Sequence, residues 1–165
     1  DPNKVSKWAS KLGDKTKKRV GIVWSGRAEH KNDHNRSIVL SELVAQLPQD
    51  IEYVSLQKEV RDNDRTTLQA HTDIRHFGDE LEDFTDTAAL CELMDIVVSV
   101  DTSVAHLSGA LGKATWVLLP YCPDWRWLLD RDDSPWYPSV KLYRQDAIGD
   151  WVNVFERVKA DLDSV

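Results

Sequence analysis

Cysteine is scarce in this chain and methionine scarcer. Only Cys91 and Cys122 occur among 165 residues; they fit no metal-binding or redox spacing, and two cysteines build no disulfide framework. A reducing, cytoplasmic compartment is therefore expected, with Cys91, set in an apolar helical stretch, as a small core residue. The one methionine is Met94 and the chain opens on Asp1-Pro2, so a processed product or a piece of something longer is expected. No apolar run approaches a membrane span, and nothing at the N-terminus resembles a signal peptide. Positive charge is also in deficit, and the net charge is -7. No basic stripe offsets it, which argues against a nucleic-acid surface. A phosphate ligand stays possible, because it needs only a few local cations.

Several motifs are missing as well. No G-x-G-x-x-G follows the first strand-like segment, so a dinucleotide site of the usual type is not expected. Gly109 to Lys113 looks like a piece of a P-loop, but its spacing is wrong and it follows a helix; Leu111-Gly112-Lys113 reads better as a helix C-cap. His30, His34, His71, His76 and His106 have no metal-ligand spacing, and neither a metal nor a cofactor is expected. No Ser–His–Asp or Cys–His arrangement has support from local sequence.

What is present is the alternation of an α/β domain. Hydrophobic residues make up 41% and charged residues 30%, ordinary for a soluble globular chain, and the length suits one domain. A polar, lysine-rich lead (1–18) reads as a linker or as a lead helix packed on a missing half of the protein. Strand-like runs follow at 19–25, 51–56, 73–77, 95–100, 114–119 and 140–143. Helical patterns lie at 40–47, 85–93, 103–111 and 150–162, the last with Trp151, Val154, Val158 and Leu162 on one face. Residues 60–71 are polar and ambiguous. The expected fold for 19–165 is a doubly wound, mostly parallel, six-stranded Rossmann-like sheet, with ligands beyond the carboxyl ends of its strands.

The segment Asp95 to Leu107 carries the most information. A β-branched run turns abruptly into Asp101-Thr102-Ser103 and then into apolar helical spacing. A buried strand that delivers the chain to a helix N-terminus brings unpaired N–H groups and the positive end of the helix dipole together with small hydroxyls. Such a place suits a phosphate. His106, four residues after Thr102, projects from the same helix face. An ordinary junction capped by Asp101 or Thr102 accounts for the same residues.

Other strand ends hold further candidates. Ser25-Gly26 closes the first strand, and the polar loop to Arg36 carries Arg27, His30, Lys31, Asn32 and Asp33. Gly26 permits close backbone approach and Lys31 supplies a point charge, although most such loops are merely solvated. Gln57 and Lys58 end the second strand, where they face a base or ribose or simply solvent. Asp83-Phe84-Thr85 precedes a helix, and either Asp83 or Thr85 suits its cap. Phe84 reads as core or as a stacking surface. In Pro120 to Trp127, Asp124, Trp125, Arg126 and Trp127 suit a sugar, or pack the loop on its own domain or a partner.

Taken in order, these segments resemble the C-terminal, nucleotide-sugar-binding half of a GT-B glycosyltransferase. The likeness is to the bacterial heptosyltransferase-like family, in the version found at the end of tetratricopeptide-repeat proteins. It rests on Val20 to Gly26, His30 to Ser37, Val54 to Lys58, Asp83 to Leu90, Ser99 to Leu107, Leu118 to Pro120 and Pro123 to Arg131. The resemblance implies hexosyl or heptosyl transfer from a nucleotide-diphosphate sugar, with inversion. It implies Ser25 and Lys31 at the diphosphate, and Thr102 and Ser103 on a phosphate with His106 behind them. Gln57, Lys58, Asp83 and Thr85 would frame the nucleoside, and Asp101, Asp124 and Trp125 complete the expected donor site. Heptosyltransferases commonly have glycine where this chain has Ser103. Lys31 and His106 would stabilise the leaving group only, since the family's general base lies on an N-terminal half absent here. That half, or a repeat domain of the same protein, is the expected partner. The isolated chain would then bind nucleotide and transfer slowly or not at all. A GT-B-fold nucleotide-sugar epimerase and a non-catalytic Rossmann-like interaction module of a repeat protein are the alternatives.

Overall fold

A computed structural model describes residues 1–165. Its six strands are β1 (Arg19–Val23), β2 (Glu52–Ser55), β3 (Ile74–His76), β4 (Ile96–Val100), β5 (Thr115–Leu119) and β6 (Val140–Arg144). They form one sheet in the order β3-β2-β1-β4-β5-β6, and every neighbouring pair is parallel. Every residue of β1, β4 and β5 is buried. Coverage on both faces is why these strands read as nearly continuous apolar runs, with Arg19, Ser99 and Thr115 as their polar members. The sheet is wholly parallel rather than mostly so, and its order reverses between β1 and β4, which lie side by side.

Seven helices cover it: α1 (Pro2–Leu12), α2 (Asp33–Arg36), α3 (Leu40–Val44), α4 (Asp62–Ala70), α5 (Phe84–Glu92), α6 (Ser103–Ala110) and α7 (Val152–Ser164). Val20, Ile22 and Trp24 point to one face, where they meet Leu40 and Leu43 of α3 and Val154, Phe155 and Val158 of α7. Val23, between them, joins Val54 and Val97 on the other face beneath α1 and α5. That alternation is the period of two expected of a strand. Ala105 of α6 packs with Val117, Leu119 and the fully buried Trp127 in a third cluster.

Local expectations shift in places. β1 stops at Val23, so Trp24 and Ser25 lie in the turn beyond it. The loop after β1 contains the short α2, anchored by buried Asp33 and Arg36. The ambiguous stretch at 60–71 is helical over Asp62–Ala70, held by the buried carboxylate of Asp64, which accepts from Trp24 Nε1 (3.0 Å) and Leu40 N (2.9 Å). The helix starting at Leu40 ends at Val44, three residues early. Gly112 closes α6 at φ +73, with Lys113 N donating to Ser108 O, as the C-cap reading requires. Pro2–Leu12 of the lysine-rich lead form α1, which packs on this domain: Trp8 is fully buried, and its indole N–H donates to Asp86 at 3.0 Å. No helix is long and apolar enough to cross a membrane.

Candidate functional site

The carboxyl ends of β1, β2 and β4 open into a cleft of about 710 Å³ at the point where strand order reverses. Of the expected site residues, Ser25, Gly26, Gln57, Lys58, Asp83, Thr102 and Ser103 line it together. They come from four separate loops, and the sheet alone makes them neighbours.

The end of β4 supplies one wall of the cleft. Thr102 occupies the N-cap of α6 in extended backbone, but its side chain makes no capping bond. Its hydroxyl lies 3.1 Å from Ser99 Oγ, and Ser99 in turn donates to Val100 O at 2.7 Å. With the Ser99 proton spent, Thr102 donates inward. The donors left at this helix end are the backbone N–H groups of Ser103 and Val104, which have no intrahelical acceptor, and the exposed Ser103 hydroxyl. The helix dipole adds positive potential at the same point.

Gln57 is a brace. Its Oε1 accepts from Trp24 N (3.1 Å) and Ser25 N (3.0 Å), while Nε2 donates to Ser25 Oγ (3.2 Å) and Glu59 O (2.9 Å). The whole amide is thereby engaged in tying the end of β1 to the end of β2. Lys58 Nζ rests on Glu82 O at 3.1 Å, at the exposed rim. Asp83 caps α5 through a capping box with Asp86, accepting from Thr85 N and Thr85 Oγ1. The Thr85 hydroxyl and Lys4 hold the Asp83 carboxyl well below the usual carboxylate range. Thr85 itself faces Asp83, whereas Thr87 and the exposed Phe84 reach the cleft wall.

A second group gathers on the β5 side of α6. His106 stacks on Trp127 (centroids 4.8 Å apart), its Nδ1 lies 3.2 Å from the Tyr137 hydroxyl and its Nε2 3.8 Å from Asp101 Oδ1. Burial pushes the imidazole pKa down; Asp101 opposes this and Arg126 adds to it. Asp124 caps a 3₁₀ turn, accepting from Arg126 N and Arg126 Nη1 at 3.0 and 2.9 Å. Trp125 is largely exposed, with the Arg126 guanidinium 4.7 Å from its ring centroid. Asp101, His106, Asp124 and Trp125 are thus not among the residues lining the cleft.

Lys31 stands exposed on the loop before α2, also outside the cleft lining. The cations that do line it, besides Lys58, are Arg27 and Arg36. Arg36 is only 9% exposed. Its one signal in the sequence is Asp33 three residues earlier, on the same face of what proves to be a helical turn.

No protein-family model matches the chain. Among curated proteins, FlbA of Caulobacter vibrioides is 32% identical over 80 residues, a match covering 48% of this chain and 13% of FlbA. The chain thus aligns with a small part of that relative's length. Among solved structures, a variant of the wall teichoic acid polymerase TagF superposes with a TM-score of 0.43 at 14% identity. That match covers 71% of this chain and 29% of the polymerase.

Proposed function

We propose that this chain is the donor-binding half of a glycosyltransferase, and that its cleft takes the nucleoside diphosphate of a nucleotide-sugar. The observation that carries this reading is the open N-terminus of α6 inside the cleft, at the switch point of a parallel sheet. A diphosphate there accepts from the N–H groups of Ser103 and Val104, and the nucleoside extends past Gln57 and Lys58 toward Phe84. The sugar then lies toward Asp101, His106 and Asp124. Negative charge grows on the departing diphosphate during transfer, and donors already aimed at it stabilise that charge without reorganising. The base that activates the acceptor hydroxyl is supplied from outside this chain.

Isothermal titration with UDP, GDP and ADP tests the reading. One of them is expected to bind between the micromolar and millimolar range. Ser103→Pro should leave the fold intact, because Ser103 is the first helical residue and Thr102 already has the extended backbone that precedes proline. Having lost one N–H and one hydroxyl, that variant should bind about tenfold more weakly. Absence of binding by all three nucleotides to a folded chain would overturn the proposal. It would favour an interaction module instead, for which the exposed Trp125, Leu129 and Trp136 speak.

A further inference from the structure

We infer that Arg36 is the charged ligand of the diphosphate, seated by Gly26 and by a carboxylate it shares with a second arginine. The inference rests on the nucleotide reading above and names the residue on which it turns. Arg36 is nine-tenths buried, yet only one of its five donors makes a hydrogen bond, Nη1 to Asp101 O at 2.7 Å. Its Nε is buried without a partner. The nearest carboxylate oxygen, Asp33 Oδ1, is 3.6 Å from Nε.

Asp33 cannot neutralise Arg36 alone, because Arg61 Nη2 holds its other oxygen at 2.5 Å. Two guanidinium groups therefore share one buried carboxylate; Glu59, Glu82 and Asp83 also line the cleft, but none of them pairs with Arg36, which is left under-compensated. A buried charge without full compensation is costly, so the Arg36 guanidinium itself retains an unmet demand for an anion. Arginine meets that demand from phosphate best, since its planar fork offers parallel N–H donors to two oxygens.

The mount is built for this placement. Through Asp101 O, the guanidinium bridges the loops after β1 and β4, the two strands flanking the switch point. It passes directly over Gly26, where a Cβ would fall 2.6 Å from Arg36 Cζ. Gly26 is pinned in turn: its N–H donates to Ser37 Oγ at 3.0 Å and its carbonyl accepts from Arg61 at 2.9 Å. Ser37 Oγ donates to Asp33 Oδ1 at 2.7 Å and closes the ring. Arg36 and the start of α6 line the same cleft, so one anion can draw on both.

The test titrates inorganic pyrophosphate, then UDP, GDP and ADP, into the full chain and into Arg36→Gln, Arg36→Lys and Gly26→Ala, with Lys159→Gln as a charge-matched control. Gly26→Ala keeps every charge and displaces only the guanidinium. Expected are losses of about tenfold or more in Arg36→Gln and Gly26→Ala, partial recovery in Arg36→Lys, and no change in the control. Nucleotide binding that Arg36→Gln leaves unaltered would overturn the role of Arg36 while the nucleotide reading stands. Pyrophosphate binding that depends on Arg36, without binding of any nucleotide, would support the role and sink the nucleotide reading. No binding of either would remove both. Should Arg36→Gln fail to fold, the Arg36 Nε–H resonance of the unaltered chain decides: it shifts with pyrophosphate if the inference holds and stays put if it does not.

Discussion

His106 shows how far a single side chain departs from what its sequence neighbours suggest. Its spacing from Thr102 places both on one helix face, but Thr102 turns into the cleft wall while His106 lies between Trp127, Tyr137 and Asp101. Burial depresses its pKa, and burial does the same to His76 against the opposing pull of Asp79. Both folded values therefore lie below the unfolded value of about 6.5. Their contribution to stability is present above that value and is lost as pH falls through the folded values. Denaturant unfolding followed from pH 7 downward should show this loss, and His106→Gln should remove its share of the slope. An NMR titration of His106 with a midpoint above about 6.5 would contradict the prediction. The same scale explains why Arg36 was hard to foresee. Arg27 and Lys31 lie in irregular backbone and Arg36 ends a helix of only four residues, too short to leave a period that tells which of them turns inward.

Among the elements, those buried on both faces were the easiest to read. β1, β4 and β5 announce themselves because each is buried along its whole length and carries a single polar residue, Arg19, Ser99 or Thr115, in an otherwise apolar run. α4 does not, since its sequence is polar and its stability comes from Asp64 bonding Trp24 and Leu40 from elsewhere in the chain. The segment between β5 and β6 is harder still. It keeps Trp127 buried beside His106 while Leu128 adopts φ 55, ψ -165 and Asp130 φ 53. The Leu128 conformation is one that essentially only glycine adopts without strain, at a cost of about 1–3 kcal/mol. Leu128 is also substantially exposed. Leu128→Gly should therefore raise the urea midpoint or leave it unchanged, although glycine elsewhere typically costs about 0.5–1 kcal/mol. A fall of the midpoint by more than that amount would show that the Leu128 side chain, not its backbone, matters here.

At the scale of the whole molecule, α1 is part of the folded unit rather than a tether to it. Trp8 and Leu12 complete the core under α5, and Asp86 sits fully buried where it receives Trp8 Nε1 and Lys4 Nζ. Burial raises the Asp86 pKa, but the bonds from Lys4 and Trp8 outweigh it and keep the carboxyl below its ordinary value. Trp8→Ala should cost about 3–5 kcal/mol in urea unfolding, from lost burial and from the donor taken away from Asp86. A cost under about 1 kcal/mol would mean that α1 is dispensable.

The alternation of buried runs and amphipathic stretches was enough to establish a parallel α/β sheet, because its central strands β1, β4 and β5 are buried throughout and so read as mainly apolar runs between helical stretches. It also located hydroxyls at a helix start beyond β4, since that junction is local. Tertiary structure alone decided what surrounds them. Trp8 meets Asp86 across 78 residues and Arg36 meets Asp101 across 65. Contacts of that range depend on how the strands are ordered, and strand order leaves no period in the sequence.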